Sequence, residues 1–247
     1  MLIIGRNTVL ETLKINQKSI KKIILLDSLN DNKIKEIIEK AKSNNIDIEV
    51  LPKNNFEKVF DKKDKSDGIS QGIAAEVEDF KYSKTSEILI STEGNKSVCL
   101  AVLDEIQDPH NFGAIIRSAE ATGIDGIIIS DKNTVKVNHT VIKSSSGATN
   151  YIKISKESNI YSTIEYLKEK GFEIIGTVMK TEKDIYTYTF PDKCAVIFGG
   201  EGEGLRKNLI KLCDKLIKIP MKGKIDSLNV SVSAGVIFYE MLRQRNY

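Results

Sequence analysis

The chain has 247 residues, 40% hydrophobic and 29% charged, with a net charge of +3. That size suits one large domain or two smaller ones, and the composition excludes a disordered chain. No apolar run reaches the roughly 18 to 20 residues of a membrane span, the opening MLIIGRN turns polar too early for a secretory signal, and so mild a charge demands nucleic acid only if local patches supply it.

Three widely spaced cysteines, Cys99, Cys194 and Cys213, form no disulfide framework and fit a reducing, cytoplasmic setting. Each lies in or beside an apolar run, so buried thiols are expected. With two histidines and no Cys-x-x-Cys, no metal site is expected.

In chain order, Ile4-Gly5-Arg6-Asn7 ends a short strand, and Asn7 is the expected cap of a helix carrying Val9, Leu10 and Leu13. Ile20 to Leu26 reads as a strand. Asp31 or Asn32 opens a helix with Ile34, Ile37, Ile38 and Ala41 on one face, and Ser43-Asn44-Asn45 closes it. Ile46, Ile48 and Val50 alternate with acids, which predicts a half-buried strand. A short helix follows near Phe56, Val59 and Phe60, then a charged loop, then a strand over Ile73 to Val77. These first 80 residues carry 14 basic and 14 acidic side chains. Lys21, Lys22, Lys62, Lys63 and Lys65 either form a solvated face or make weak contacts to RNA phosphates. Residues 81–96 read as a linker with a helical turn around Ile88 to Ile90.

From Ser97 the pattern becomes βα repeats. Val98 to Leu103 is a continuous apolar run, as expected for a parallel strand buried on both faces. The loop Ile106 to Asn111 leads to a helix over Phe112 to Ala121 with Gly123 at its end. Arg117 sits in it among small and apolar neighbours; alone it would read as half of a structural salt bridge. Gly126 to Ile129, Phe172 to Val178, Cys194 to Phe198 and Leu216 to Ile219 read as strands. Val141 to Ala148, Ile160 to Lys170 and Leu205 to Cys213 read as helices. A last helix carries Val232, Val236, Tyr239 and Leu242 at helical spacing, and Ser231, Ser233, Ala234 and Gly235 keep its first turns slim.

Gly199 to Gly204 reads GGEGEG, which is neither of the common phosphate-loop patterns. Glu201 and Glu203 put negative charge where a phosphate would sit, so a cationic or neutral ligand fits better. Ser227 and Asn229 flank Leu228, and in an extended turn both side chains point the same way.

Three stretches stand together: DPHNFGAIIRSAEATG (108–123), FGGEGEGL (198–205) with IPM (219–221), and SLNVSVSAG (227–235). In order and spacing they resemble the three motifs of the SpoU (TrmH) family of RNA ribose 2′-O-methyltransferases, over about residues 97–247. Residues 1–80 resemble the ribosomal-protein-like RNA-binding domain of the RlmB branch, which methylates a guanosine in 23S rRNA. Ser70, in GISQG, stands where that branch shows histidine. The resemblance implies an α/β fold: a trefoil-knotted parallel-sheet catalytic domain of SPOUT type over 97–247, behind a linker and a small α/β RNA-binding domain. It implies a homodimer with S-adenosylmethionine as cofactor. Gly199, Ile219 and Leu228 match the cofactor's backbone contacts, with Thr177, Gly200 and Met221 beside them. Asn111, Arg117, Glu201, Ser227 and Asn229 match the polar catalytic residues. Because arginine keeps its proton, Arg117 is expected to bind phosphate and stabilise developing alkoxide charge rather than act as a simple base. A tRNA guanosine, another rRNA nucleotide and a non-catalytic ribosome-assembly role remain open at this point.

Overall fold

A computed structural model describes residues 1–29, 31–59, 71–202 and 204–246. The chain forms two compact units, Met1–Phe80 with Val137–Tyr151, and Lys81–Lys136 with Ile152–Tyr247. In chain order the elements are β1 (Leu2–Ile4), α1 (Arg6–Ile15), β2 (Ile20–Leu26), α2 (Asn32–Ser43), β3 (Asp47–Leu51), α3 (Lys53–Phe56) and β4 (Ile73–Val77), then α4 (Thr85–Ser91), β5 (Val98–Leu103), α5 (Pro109–Ala121), β6 (Gly126–Ser130) and α6 (His139–Ser144). There follow β7 (Ile154–Glu157), α7 (Ile160–Glu169), β8 (Glu173–Thr177), β9 (Lys193–Phe198), α8 (Lys207–Ile210), β10 (Lys215–Ile217) and α9 (Val230–Asn246).

The first unit is a mixed sheet in the order β1-β4-β2-β3, with only β2 and β3 parallel. Ile23, Ile24 and Leu25 of β2 are buried in succession because the strand is central. The expected cap at Asn7 is corrected. Gly5, at φ 101°, turns the chain directly into α1, and the Asn7 side chain instead accepts a hydrogen bond from Lys33. Asp31 does cap α2, its carboxylate accepting from the backbone N–H of Lys33 and Ile34 at 3.0 and 3.2 Å. The expected alternation in β3 fails at Val50, which is 58% exposed, because β3 is an edge strand covered from β2 alone. Lys22 reaches Glu49 at 2.7 Å. Phe60, Lys62, Lys63, Lys65 and Ser70 lie outside the described residues, as does Glu203.

The second unit is an all-parallel sheet in the order β10-β8-β9-β5-β6-β7. Every residue of the central β5 is buried, as a strand covered on both faces requires. The segment expected as a linker carries α4, and Ile88 packs fully buried with Leu100, Ile128, Ile164 and Leu167. Residues 137–151, expected in the catalytic half, group with the first unit, and Val141 and Ile142 of α6 are buried. The short strand β7 (ISKE) shows no apolar alternation and was not foreseen.

Helix α5 starts earlier than its apolar pattern. Asp108 is the cap, Pro109 occupies the first turn, and Asn111 therefore stands on the helix rather than in the preceding loop. Gly123, at φ +74°, ends it: Ile124 N–H reaches Ala119 O at 2.9 Å and Gly123 N–H reaches Glu120 O at 3.1 Å, the paired bonds of a left-handed helix stop. The helix expected over 205–213 contracts to α8, and the strand expected over 216–219 to β10. The buried face of α9 is also corrected. It presents Ala234, Ile237, Phe238 and Met241 to the core, while Val232 and Tyr239 are 50% and 58% exposed. Both stripes have helical spacing, and Phe238 selects between them by packing edge-on against Phe198 of β9 at 5.4 Å.

Candidate active site

The carboxyl ends of parallel strands are where ligands gather in such sheets. Here β5, β8, β9 and β10 end side by side, and the loops after β8, β9 and β10 enclose a cavity of about 570 Å³.

The loop after β9 is the GGEGEG stretch. It closes on itself where Gly204 donates its N–H to Gly200 O at 3.2 Å. A Cβ placed on Gly199 would lie 2.2 Å from the Gly204 carbonyl carbon, and one on Gly200 would lie 2.7 Å from Glu105 O. These glycines are needed because backbone passes against backbone, not to cradle an anion. The loop is anchored by a pair that sequence reasoning missed. Asp104, at the end of β5, is fully buried. Arg206 grips it with both ends of its fork, Nε to Oδ2 at 2.7 Å and Nη2 to Oδ1 at 2.6 Å. A third guanidinium nitrogen reaches Glu105 at 3.3 Å. Burial pushes the Asp104 carboxyl above its ordinary value, against the opposing pull of Arg206. The available signal was an aspartate ending a wholly apolar strand, which needs a nearby cation.

The six residues expected to hold a cofactor, Thr177, Gly199, Gly200, Ile219, Met221 and Leu228, all line the cavity. The Thr177 hydroxyl also donates to Ile197 O at 2.9 Å, which ties it to the neighbouring strand. Glu201, Ser227 and Asn229 line the same cavity. Asp226, not singled out beforehand, adds a second carboxylate there, and Lys180 and Lys218 add two amines.

Asn111 is outside the lining but bound to it. Its side-chain N–H donates to Glu201, and its Oδ1 accepts from Asn229 Nδ2 at 2.9 Å and from Ser231 Oγ at 3.2 Å. Asn229 in turn caps α9, accepting from the N–H of Ser231 at 2.9 Å. Three sequence-distant motifs thus share one hydrogen-bond chain. Arg117 does not join it. Its side chain is exposed on α5, outside the cavity lining, with no ion pair or hydrogen bond from its guanidinium among the described residues. The salt bridge that an isolated arginine suggested is absent among those residues.

Comparison with known proteins bears on what this arrangement serves. The SpoU rRNA methylase family model matches residues 99–239, and a model for RNA 2′-O ribose methyltransferase substrate binding matches residues 2–83. YacO of Bacillus subtilis, assigned to the TrmH family of tRNA/rRNA methyltransferases, is 34% identical over 245 residues, which are 99% of this chain and 96% of that protein. A Staphylococcus saprophyticus protein of the same assignment is 34% identical over 248 residues, covering 100% of this chain and 97% of the relative. Among solved structures, the SpoU methyltransferase AviRb from Streptomyces viridochromogenes, in complex with AdoMet, superposes with a TM-score of 0.81 at 20% identity, over 99% of this chain and 90% of AviRb.

Proposed function

Because the chain belongs to the SpoU (TrmH) family of RNA methyltransferases, we propose that it methylates the ribose 2′-hydroxyl of a guanosine in 23S rRNA. The family activity is methyl transfer from S-adenosylmethionine to RNA. The observation that carries the site is the joining of Asn111, Glu201, Asn229 and Ser231 by hydrogen bonds at one cavity. The separate N-terminal substrate-binding domain supports a large structured RNA.

The residues present fit the cofactor. Its size class is that of ligand pockets of roughly 300–1,000 Å³. Glu201 and Asp226 suit a cationic ligand, while Ile219, Met221 and Leu228 offer apolar walls. When bound, S-adenosylmethionine supplies an electrophilic methyl group on a sulfonium. Backbone groups of Gly199, Ile219 and Leu228 would hold it, and Asn111 orients the Glu201 carboxylate and Asn229 around it.

The acceptor oxygen must approach in line and lose its proton, and positioning supplies much of the acceleration. Arg117, always protonated, binds a substrate phosphate and stabilises the developing alkoxide. Its exposed position away from its own cavity supports a homodimer in which the partner completes the site. The exposed Val232 and Tyr239 on α9 supply an apolar stripe for such pairing. We also assign the family's trefoil knot to the region around Phe198–Gly235, and a cytoplasmic setting. Convergence of three separate chain segments on one cavity supports the former, and three free cysteines support the latter.

Labelled methyl transfer to protein-free 23S rRNA and, in parallel, to bulk tRNA tests this. Label recovered as 2′-O-methylguanosine from 23S rRNA alone is the expected result. Label on tRNA keeps the chemistry and refutes the substrate.

A further inference from the structure

The loop after β8 has features that the cavity alone does not explain. It reads MKTEKDIYTYT from Met179, two lysines followed by two tyrosines. Its two tyrosines have opposite fates. Tyr188 is buried, bonded through its hydroxyl to Glu173 and packed edge-on against Phe190 at 5.1 Å. Tyr186 is 58% exposed, and its hydroxyl has no hydrogen bond among the described residues.

Tyr186 is nevertheless held on a fixed backbone. Asp184 Oδ1 accepts from the N–H of Tyr186 at 2.9 Å and of Thr187 at 3.1 Å, a turn closed by its own side chain. Next to it Ile185 is fully buried, and its N–H reaches Lys218 O at 3.0 Å, while Lys218 N–H reaches Lys183 O at 3.1 Å. Lys218 lines the cavity, as do Met179 and Lys180 at the start of the loop. The turn that presents Tyr186 is therefore strapped to the cavity's rim.

The rim carries lysines beside the acids Glu201 and Asp226. Lys180 and Lys218 of the lining, and Lys183 strapped to Lys218, form no ion pair among the described residues. The loop's own acids are Glu182 and Asp184, the latter bonded to the backbone N–H groups of Tyr186 and Thr187. An exposed, rigidly mounted aromatic among unpaired lysines is the combination that holds single-stranded nucleic acid: rings stack on bases and amines follow phosphates.

Resting on the function proposed above, we infer that Tyr186 is a stacking platform for an unpaired base of the substrate RNA next to the methylated nucleotide. Lys180 and Lys183 track the adjoining phosphates. Tyr186 is then a positioning residue that acts on RNA and not on the cofactor.

The test is direct binding of a fluorescein-labelled single-stranded RNA of about twelve nucleotides across a salt series, with methyl transfer measured in parallel. Tyr186→Ala should weaken RNA binding about ten-fold at every salt concentration, leaving the salt slope and cofactor affinity unchanged. Tyr186→Phe should bind like the unaltered protein. Lys180→Gln with Lys183→Gln should instead flatten the slope by about 1.4, roughly 0.7 for each phosphate that the protein no longer neutralises. Tyr186→Ala binding within two-fold of the unaltered protein overturns the inference. Absence of methyl transfer by the unaltered protein overturns the proposed function, and the binding series still decides the role of Tyr186.

Discussion

Replacing Arg206 with alanine should destabilise the second unit by about 3 kcal/mol at pH 8. The partner left behind, Asp104, is fully buried and loses both of its guanidinium bonds. Breaking a buried ion pair from one side costs roughly 3–5 kcal/mol. The Arg206 side chain is 33% exposed, so water reaches the gap and the lower figure applies. The sign with pH follows from the carboxyl. Burial already raises it in the folded protein, and loss of Arg206 raises it further. A group whose folded value is raised contributes stability below its unfolded value near 4, and that contribution is lost as pH rises through the folded value. Urea unfolding of Arg206→Ala should therefore show a deficit that is larger at pH 8 than at pH 5, with an unchanged denaturant slope. Adding Asp104→Asn should recover part of the loss, since a neutral amide is cheaper to bury unpaired. A deficit under ~1 kcal/mol that ignores pH, or no recovery with asparagine, would refute the argument.

Gly199→Ala should weaken S-adenosylmethionine binding about ten-fold or more by calorimetry. Its Cβ would fall 2.2 Å from backbone, so the loop must open; unchanged affinity would show that the loop does not shape the cavity. Arg117→Ala should lower turnover by roughly 10²–10³ while cofactor affinity stays within two-fold, because its assigned partner is a substrate phosphate and not the cofactor; near-normal turnover would remove it from the chemistry. Burial pushes the Cys213 thiol up to about 11. Its alkylation by iodoacetamide should inflect near that pH, with roughly 100-fold less thiolate at pH 8 than a thiol near 9 provides. By the same linkage its stabilising effect holds below about 9 and is lost as pH rises through about 11. Ordinary thiol reactivity at pH 8 would place Cys213 in solvent.

Apolar runs and local stop signals determined most strands and the ends of several helices. Val98 to Leu103 reads as a buried strand and forms one, and Gly123 and Gly171 mark helix stops through the left-handed backbone that they adopt at φ 74° and 80°. The motif residues were legible as types at fixed spacing, and so was the anionic character of GGEGEG. Two kinds of information were not local. One is the choice between equivalent patterns: α9 has two apolar stripes, and only packing against Phe198 decides that Phe238 goes inward and Tyr239 outward. The other is pairing across long sequence separations. Asp104 meets Arg206, and Asn111 meets Glu201 and Asn229, because parallel strands β5, β8, β9 and β10 end side by side. Hydrophobic periodicity records which face of an element is buried, but not which neighbour buries it. The tertiary structure alone therefore decided which polar side chains meet at the cavity, and it left Arg117 outside the lining of its own chain's cavity.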